Sequence, residues 1–312
     1  MQPLKRLLPL AGAALGLLLL FRLFVPGFLD TQNLVDLAQQ ISVNAILAFG
    51  MTLVILIGGI DLSVGALVAL VGTTTAYGLV SSGLGWPTPL AMALGLAVAA
   101  AFGLAHGACA AWTGMPPFII TLGTMMVARG CALRFNEGRP MNIPDRHTDF
   151  LAVGNGRLFD FLPVPVLIML ALFAGVAVLL HATVFGRHIY AIGGNRTAAL
   201  YSGVPVARCQ ILVYLLASLL AGLAGMIHTS QLYSAEPASG VNFELNAIAA
   251  AVVGGTSFSG GIGTLPGTLI GAVIIGILDK GLNQAGVHFS LQYILKGLVI
   301  LGAVYGDVWR RK

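Results

Sequence analysis

The sequence predicts an all-α integral membrane protein of about ten transmembrane helices. At least one helix is short or broken, and both termini are cytoplasmic. Three observations carry this. The chain is 57% hydrophobic and 9% charged, with a mean hydropathy of +0.93, whereas a soluble domain has about 25% charged residues. Its apolar runs reach the ~20 residues a spanning helix needs and lack the period-two alternation of a membrane β-barrel. Its 41 glycines suit helices that pack closely through small residues.

Taken in order, Lys5 and Arg6 followed by an apolar stretch resemble a signal peptide. No small-x-small cleavage site follows, and Arg22, Phe24 and Pro26 come instead, so the run reads as a retained first span over 7–25. The polar stretch from Asp30 to Gln40 is expected to run along the interface. The second span is expected over 41–59, ending at the first Gly-Gly pair, and the third over 62–82, with Asp61 as its N-cap. A fourth, opened by Pro87 and Pro89, covers 88–111, and a turn at 113–117 leads to a fifth over 118–135 carrying Arg129 and Arg134. Those arginines are expected to be paired or snorkelling. Residues 136–163 form the longest polar loop, with nearly balanced charge that includes Asp160. Spans follow over 164–184 and 210–232, separated by a second polar loop over 185–209. From 245 to 278 there are 34 residues without a charge. Two spans and a turn need about 40, so a helix there must be short, broken or re-entrant. The expected spans are 244–257, 264–282 and 289–306. Nothing divides the chain, which reads as one transmembrane domain over 1–312.

Ten spans place both termini on one side. Lys5, Arg6, Arg310, Arg311 and Lys312 make that side cytoplasmic by the positive-inside rule. The 185–209 loop then faces in, with Arg187, Arg196 and Arg208 and no acid, and the 136–163 loop faces out. The net charge of +5 includes no dense basic run outside the C-terminal tail, which excludes a nucleic-acid partner.

One pattern occurs twice. Gly58-Gly59-Ile60-Asp61-Leu62-Ser63-Val64-Gly65 and Gly254-Gly255-Thr256-Ser257-Phe258-Ser259-Gly260-Gly261 both read G-G-x-x-x-S-x-G. Broken helix at membrane depth is tolerated only where protein or water satisfies the backbone, and matched breaks in two halves of a chain point to a transport path. The glycines Gly58, Gly59, Gly65, Gly254, Gly255 and Gly261 read as paired hinge or packing points flanking that path rather than as solute contacts. The first break could be an ordinary capped turn. The second must be a true interruption.

Candidate path residues are Asn44, Asp61, Ser63, Glu244 and Asn246. Asp61 either lines the path or caps the third span with help from Ser63; the cap is preferred, because the second span is long enough to have crossed already. Glu244 lines the path or complements the dipole at a helix start. Asn44 serves as interhelical glue or as a contact. In the 185–209 loop, Gly193-Gly194 precedes Asn195, a good N-cap, and Arg196–Ser202 can form two turns closed by Gly203 and Pro205. Leu200 and Tyr201 would be exposed there, on a connector or on a docking site for a soluble partner.

Catalytic chemistry finds no foothold. There is no G-x-x-x-x-G-K-[ST] loop and no Gly-Lys pair at all, so the chain has no P-loop of its own. It has no G-x-S-x-G elbow. Neither its cysteines (Cys109, Cys131, Cys209) nor its histidines have metal or disulfide spacing. No cofactor is expected.

The strings Ser42-Val43-Asn44-Ala45-Ile46, Gly50-Met51-Thr52-Leu53-Val54-Ile55, Gly59-Ile60-Asp61-Leu62-Ser63-Val64-Gly65, Gly186-Arg187-His188-Ile189-Tyr190-Ala191-Ile192-Gly193-Gly194-Asn195, Glu244-Leu245-Asn246-Ala247-Ile248-Ala249-Ala250 and Gly254-Gly255-Thr256-Ser257 resemble those of the permease subunits of ribose-type sugar ABC importers. The resemblance runs from about Asn33 to Asp307. It departs at Asn246, where the family often carries Asp, and near Ile262, where it often carries a basic residue. The resemblance implies a multi-pass protein of the bacterial inner membrane that carries a monosaccharide and pairs with a second permease copy or a close relative among membrane lipid. It also implies a cytoplasmic ATP-binding subunit, which hydrolyses ATP in place of this chain, and a periplasmic sugar-binding protein. The segment around Gly193-Gly194-Asn195, with Leu200 and Tyr201, looks like the part that docks the ATPase. The alternative from the residues alone is an ion-coupled secondary transporter, for which Asp61 and Glu244 are the deep titratable candidates.

Overall fold

The structure is a computed structural model that describes residues 2–159 and 161–309. Asp160 and the basic tail of Arg310, Arg311 and Lys312 lie outside the described residues, as do the side chains of Lys5 and Arg6. The architecture is all-helical: α1 (Gln2–Phe24), α2 (Thr31–Leu56), α3 (Val64–Leu79), α4 (Thr88–Trp112), α5 (Pro117–Arg134), α6 (Thr148–Asn155), α7 (Val164–Ala182), α8 (Val184–Gly194), α9 (Arg196–Tyr201), α10 (Val206–Gln231), α11 (Phe243–Val253), α12 (Leu265–Gln284) and α13 (Phe289–Trp309). Eight of these, α1, α2, α4, α5, α7, α10, α12 and α13, are long and apolar enough to cross a membrane; α3 and α11 are shorter apolar helices.

The core is built on α2, α3 and α10. The last packs along α4, α2 and α3, while α11 and α12 close against α2. Small residues make these approaches possible. A Cβ on Gly103 or Gly107 of α4 would strike the α10 backbone at Leu215 or Ile211, the close helix contact that membrane packing favours. The outer helices present apolar side chains outward, such as Leu23 of α1 and Leu301 of α13. Lipid solvates such surfaces.

Two two-stranded patches cap one end. Strand β1 (Met141–Asn142) pairs antiparallel with β4 (Ser234–Ala235), joining the 136–163 loop to the loop after α10. Strands β2 (Arg157–Leu158) and β3 (Leu162–Pro163) form the second. Arg129 of α5 donates to the carbonyls of Pro237 (2.9 Å) and Ser239 (2.6 Å), so this arginine is spent on the same end of the bundle.

Four expectations are corrected. The polar stretch 30–40 is no interfacial segment: it forms the first turns of α2, which runs unbroken from Thr31 to Leu56. Its polar side chains bond to protein, as when Gln39 Nε2 donates to the Gly154 carbonyl at 2.7 Å. The third span is shorter than expected, and Asp61 is not its N-cap. The helix starts at Val64 with Ser63 in the cap position, because Asp61 holds an extended turn ahead of it. The first break is therefore a true interruption. The 185–209 loop holds two helices, α8 and α9, where one was expected. Thr183 splits α8 from α7 by accepting the Gly186 N–H at 3.1 Å, an N-cap. The shortfall expected in 245–278 is present as the 11-residue helix α11.

Candidate functional site

A cavity of about 400 Å³ opens at the end of the bundle that carries the β-patches. Its walls come from the first half of α2 (Asp36, Gln39, Gln40, Asn44), the ends of α10 and α12 (His228, Gln231, Asp279) and the start of α11 (Phe243, Asn246). The structure thus brings two of the predicted path residues, Asn44 and Asn246, into one polar pocket. Asn44 Oδ1 is buried without a partner among the described residues. The pocket's carboxylates are held by cations: Asp279 pairs with Lys296 at 2.7 Å and Asp36 with Arg157 at 3.7 Å. Amides, tethered carboxylates and the Phe243 ring make a wall that offers hydrogen bonds in both directions beside an apolar face.

Asp61 and Ser63 lie elsewhere, fully buried in the first break. Asp61 Oδ1 accepts from the Ser63 backbone N–H (2.8 Å) and hydroxyl (2.6 Å). Its Oδ2 lies 3.9 Å from His106 Nδ1 of α4, and His106 Nε2 meets the Thr124 hydroxyl of α5 at 2.7 Å. Thr121 of α5 accepts from the Leu62 N–H at 3.1 Å and contacts the Ile60 carbonyl at 3.2 Å. Protein thus satisfies the Leu62 and Ser63 N–H groups and the Ile60 carbonyl of the broken backbone, as a membrane interior requires. Tyr214 of α10 completes this cluster, its ring edge-on to His106. Glu244 reaches neither the pocket wall nor this cluster; its carboxylate lies against Gly65 of α3, beside the Gly240 carbonyl.

The repeated motifs meet each other at the opposite end of the bundle from the pocket. The Gly261 N–H donates to the Leu56 carbonyl at the end of α2, at 2.9 Å. Gly260 and Gly261, both with positive φ (81° and 71°), lie against Gly193 and Gly194 of α8. A Cβ on Gly193 would overlap the Leu56 carbonyl and the Gly261 nitrogen, so only glycine fits there. Of the remaining motif residues, Gly58 stands in the turn beside Gly260, Gly59 against the Tyr214 hydroxyl, and Gly254 against Gly267 of α12, while Gly255 has open space around it. Tyr190 of α8 donates to the Gly263 carbonyl at 3.0 Å. Burial pushes its phenol above the usual range.

On α9, Asn195 accepts the Ala198 N–H at 2.9 Å, the N-cap read from the sequence. Leu200 is 59% exposed and Tyr201 86%, an apolar pair on the outer surface beside the junction. Sequence reasoning missed His106, Tyr214 and Tyr190. His106 is the one histidine in the 88–111 run, which was the available signal.

A bundle of apolar helices with a pocket at one end, and helix breaks tied to an exposed segment at the other, fits a membrane permease. The chain belongs to the family described as branched-chain amino acid transport system / permease component, which matches residues 33–304. It is 46% identical to the ribose import permease protein RbsC of Bacillus subtilis, over 95% of this chain and 92% of that one. It is 44% identical to RbsC of Escherichia coli strain K12, over 95% and 91% of the two chains. To the D-allose transport system permease protein AlsC of the same strain it is 39% identical, over 90% and 84%. No solved structure matches.

Proposed function

We propose that this chain is the translocating subunit of an ATP-driven ABC importer for a monosaccharide of the ribose, allose or arabinose kind. The observation that carries this is the 44–46% identity to ribose permeases along 95% of the chain. An L-arabinose permease at 34% over 93% of the chain extends the sugar class. The pocket agrees in chemistry: Asn44, Asn246, Gln39 and Gln231 can donate to and accept from sugar hydroxyls, and Phe243 offers an apolar face.

In this reading the ten apolar helices all cross or enter the membrane, with both termini cytoplasmic, in a single domain. The pocket faces outward and takes sugar from a binding protein. The α8–α9 segment faces the cytoplasm, where Leu200 and Tyr201 dock the ATP-binding subunit, and Gly193, Gly194 and Asn195 shape that segment. A second permease copy packs against outer helices whose apolar faces are open. Asp61 and Ser63 hold the first break in shape, and Glu244 braces α3, so sugar contact falls to Asn44 and Asn246. The glycines of the two motifs act as hinge and packing points.

The test is uptake of radiolabelled ribose, allose and arabinose by cells that express the ATP-binding subunit and binding protein with and without this chain. Uptake of at least one sugar should require the chain. Uptake of none, with all subunits present in the membrane fraction, would overturn the reading.

A further inference from the structure

We propose that Asp279 is the specificity-determining carboxylate of the pocket, reading the hydroxyls of neutral sugars and rejecting sugars that carry phosphate or carboxylate. This deepens the reading of the pocket as the sugar site, adds a contact to Asn44 and Asn246, and rests on that reading. The first observation is which ends of the ion pairs face in. Asp36 and Asp279 line the pocket, but their cations, Arg157 and Lys296, do not, and no lysine or arginine is among the lining residues. The cavity therefore meets the negative end of each pair. Its one basic ring, His228, lies edge-on to Phe243 at 5.2 Å.

The two acids differ. Asp36 stands at the rim: its side chain is 48% exposed and 3.7 Å from Arg157, and its Oδ1 also takes the Gln32 amide at 2.8 Å. Asp279 is 19% exposed, with Oδ1 2.7 Å from Lys296 Nζ. Its Oδ2 meets no donor among the described residues. Helix register fixes its depth. Gln284 Nε2 donates to Asn33 Oδ1 at 2.7 Å, and a Cβ on Gly276 would strike Ile41. These contacts run α12 antiparallel to α2 and set Asp279 level with the α2 turn between Asp36 and Gln40. Asn44 lies one turn further in, about 6 Å along the helix. A sugar coming from the open end passes Asp279 before it reaches Asn44. An ionised carboxylate accepts hydrogen bonds and donates none. Hydroxyls bonded to it make charge-assisted contacts, stronger than those to an amide. A phosphate or a sugar carboxylate brings like charge to the same level, and no lining lysine or arginine answers it. Rejection then comes from repulsion as well as from missing attraction. Lys296 is the positioning residue: it occupies Oδ1 and leaves Oδ2 for the solute.

The test is saturation-transfer NMR of the full chain in lipid nanodiscs with ribose, allose, arabinose and ribose 5-phosphate, beside sugar uptake by the assembled complex. Wild type should bind at least one neutral sugar, and bind ribose 5-phosphate at least about tenfold more weakly. Asp279→Asn/Lys296→Met removes the pair together, so no lone ammonium is left to attract phosphate. It should weaken the neutral sugar about tenfold, the effect of one charge-assisted hydrogen bond, and close the gap to ribose 5-phosphate. Asp279→Glu keeps the charge and should keep the rejection. An unchanged preference in the double variant, equal weakening of both ligands, or loss of the rejection in Asp279→Glu overturns the inference. So does a wild-type chain that binds none of the three neutral sugars. If the wild-type complex still imports sugar in any of these cases, only the role of Asp279 falls. If it imports none, the reading of the pocket as a sugar site fails and the role of Asp279 fails with it.

Discussion

Gly193 and Gly194 are neighbours in sequence, both in the last turn of α8, and should respond oppositely to the same change. A Cβ on Gly193 would overlap two backbone atoms, the Leu56 carbonyl oxygen and the Gly261 nitrogen. Neither can swing aside, so one of the three segments must shift. Overpacking costs about 1–3 kcal/mol, and displacing the 2.9 Å bond from Gly261 to Leu56 adds about 1, for a total of ~2–4 kcal/mol. A Cβ on Gly194 meets nothing within 4 Å, and alanine in a helix is favoured over glycine by up to about 1 kcal/mol. Gly193→Ala should therefore lower the unfolding midpoint in detergent by roughly 5 °C or more, while Gly194→Ala leaves it unchanged or slightly raised. The assay is the fraction of monodisperse protein left after heating, read by fluorescence-detected gel filtration. Equal midpoints, or greater damage from Gly194→Ala, would refute the packing argument at the junction.

Other outcomes follow from the same geometry. Leu200→Asp with Tyr201→Asp should abolish uptake while membrane levels stay at wild type, as measured by immunoblot beside transport. Asn44→Leu and Asn246→Leu each keep size but remove hydrogen bonding from the pocket wall, and each should cut the uptake rate about tenfold without lowering thermal stability. Asp61→Ala strands the Ser63 N–H and hydroxyl in a fully buried site and should destabilise the protein by about 3 kcal/mol. Asp61→Asn keeps an acceptor at Oδ1 and should cost less than half of that, by the same heating assay.

What was legible in the sequence follows from which signals are local. Runs of apolar residues set most of the long helices to within a few positions, because lipid demands both length and hydropathy; α2 is the exception, starting ten residues earlier than expected. The 34-residue count foretold the short α11. The Asn195 cap was readable because capping is a matter of residue type over three positions. The stretch 30–40 was misread because Asp36, Gln39 and Gln40 look interfacial until the pocket they line is seen. Asp61 was misread because an acid that anchors an extended turn and one that caps a helix leave the same trace in sequence. The repeated motif marked both breaks, but their meeting at Gly193 spans sequence separations that carry no local signal. Tyr190, His106 and Tyr214 lacked any periodic or spaced partner, and only the packing of α4, α8 and α10 reveals their contacts.

The central claim is that this chain moves sugar at the expense of ATP hydrolysed by another subunit. The direct measurement is accumulation of labelled monosaccharide in proteoliposomes with this chain, its ATP-binding subunit and its sugar-binding protein. The result predicted is accumulation against a gradient only when ATP and all three components are present, and none by this chain alone under a proton or sodium gradient. Accumulation by the chain alone under an ion gradient, without ATP, would contradict the account.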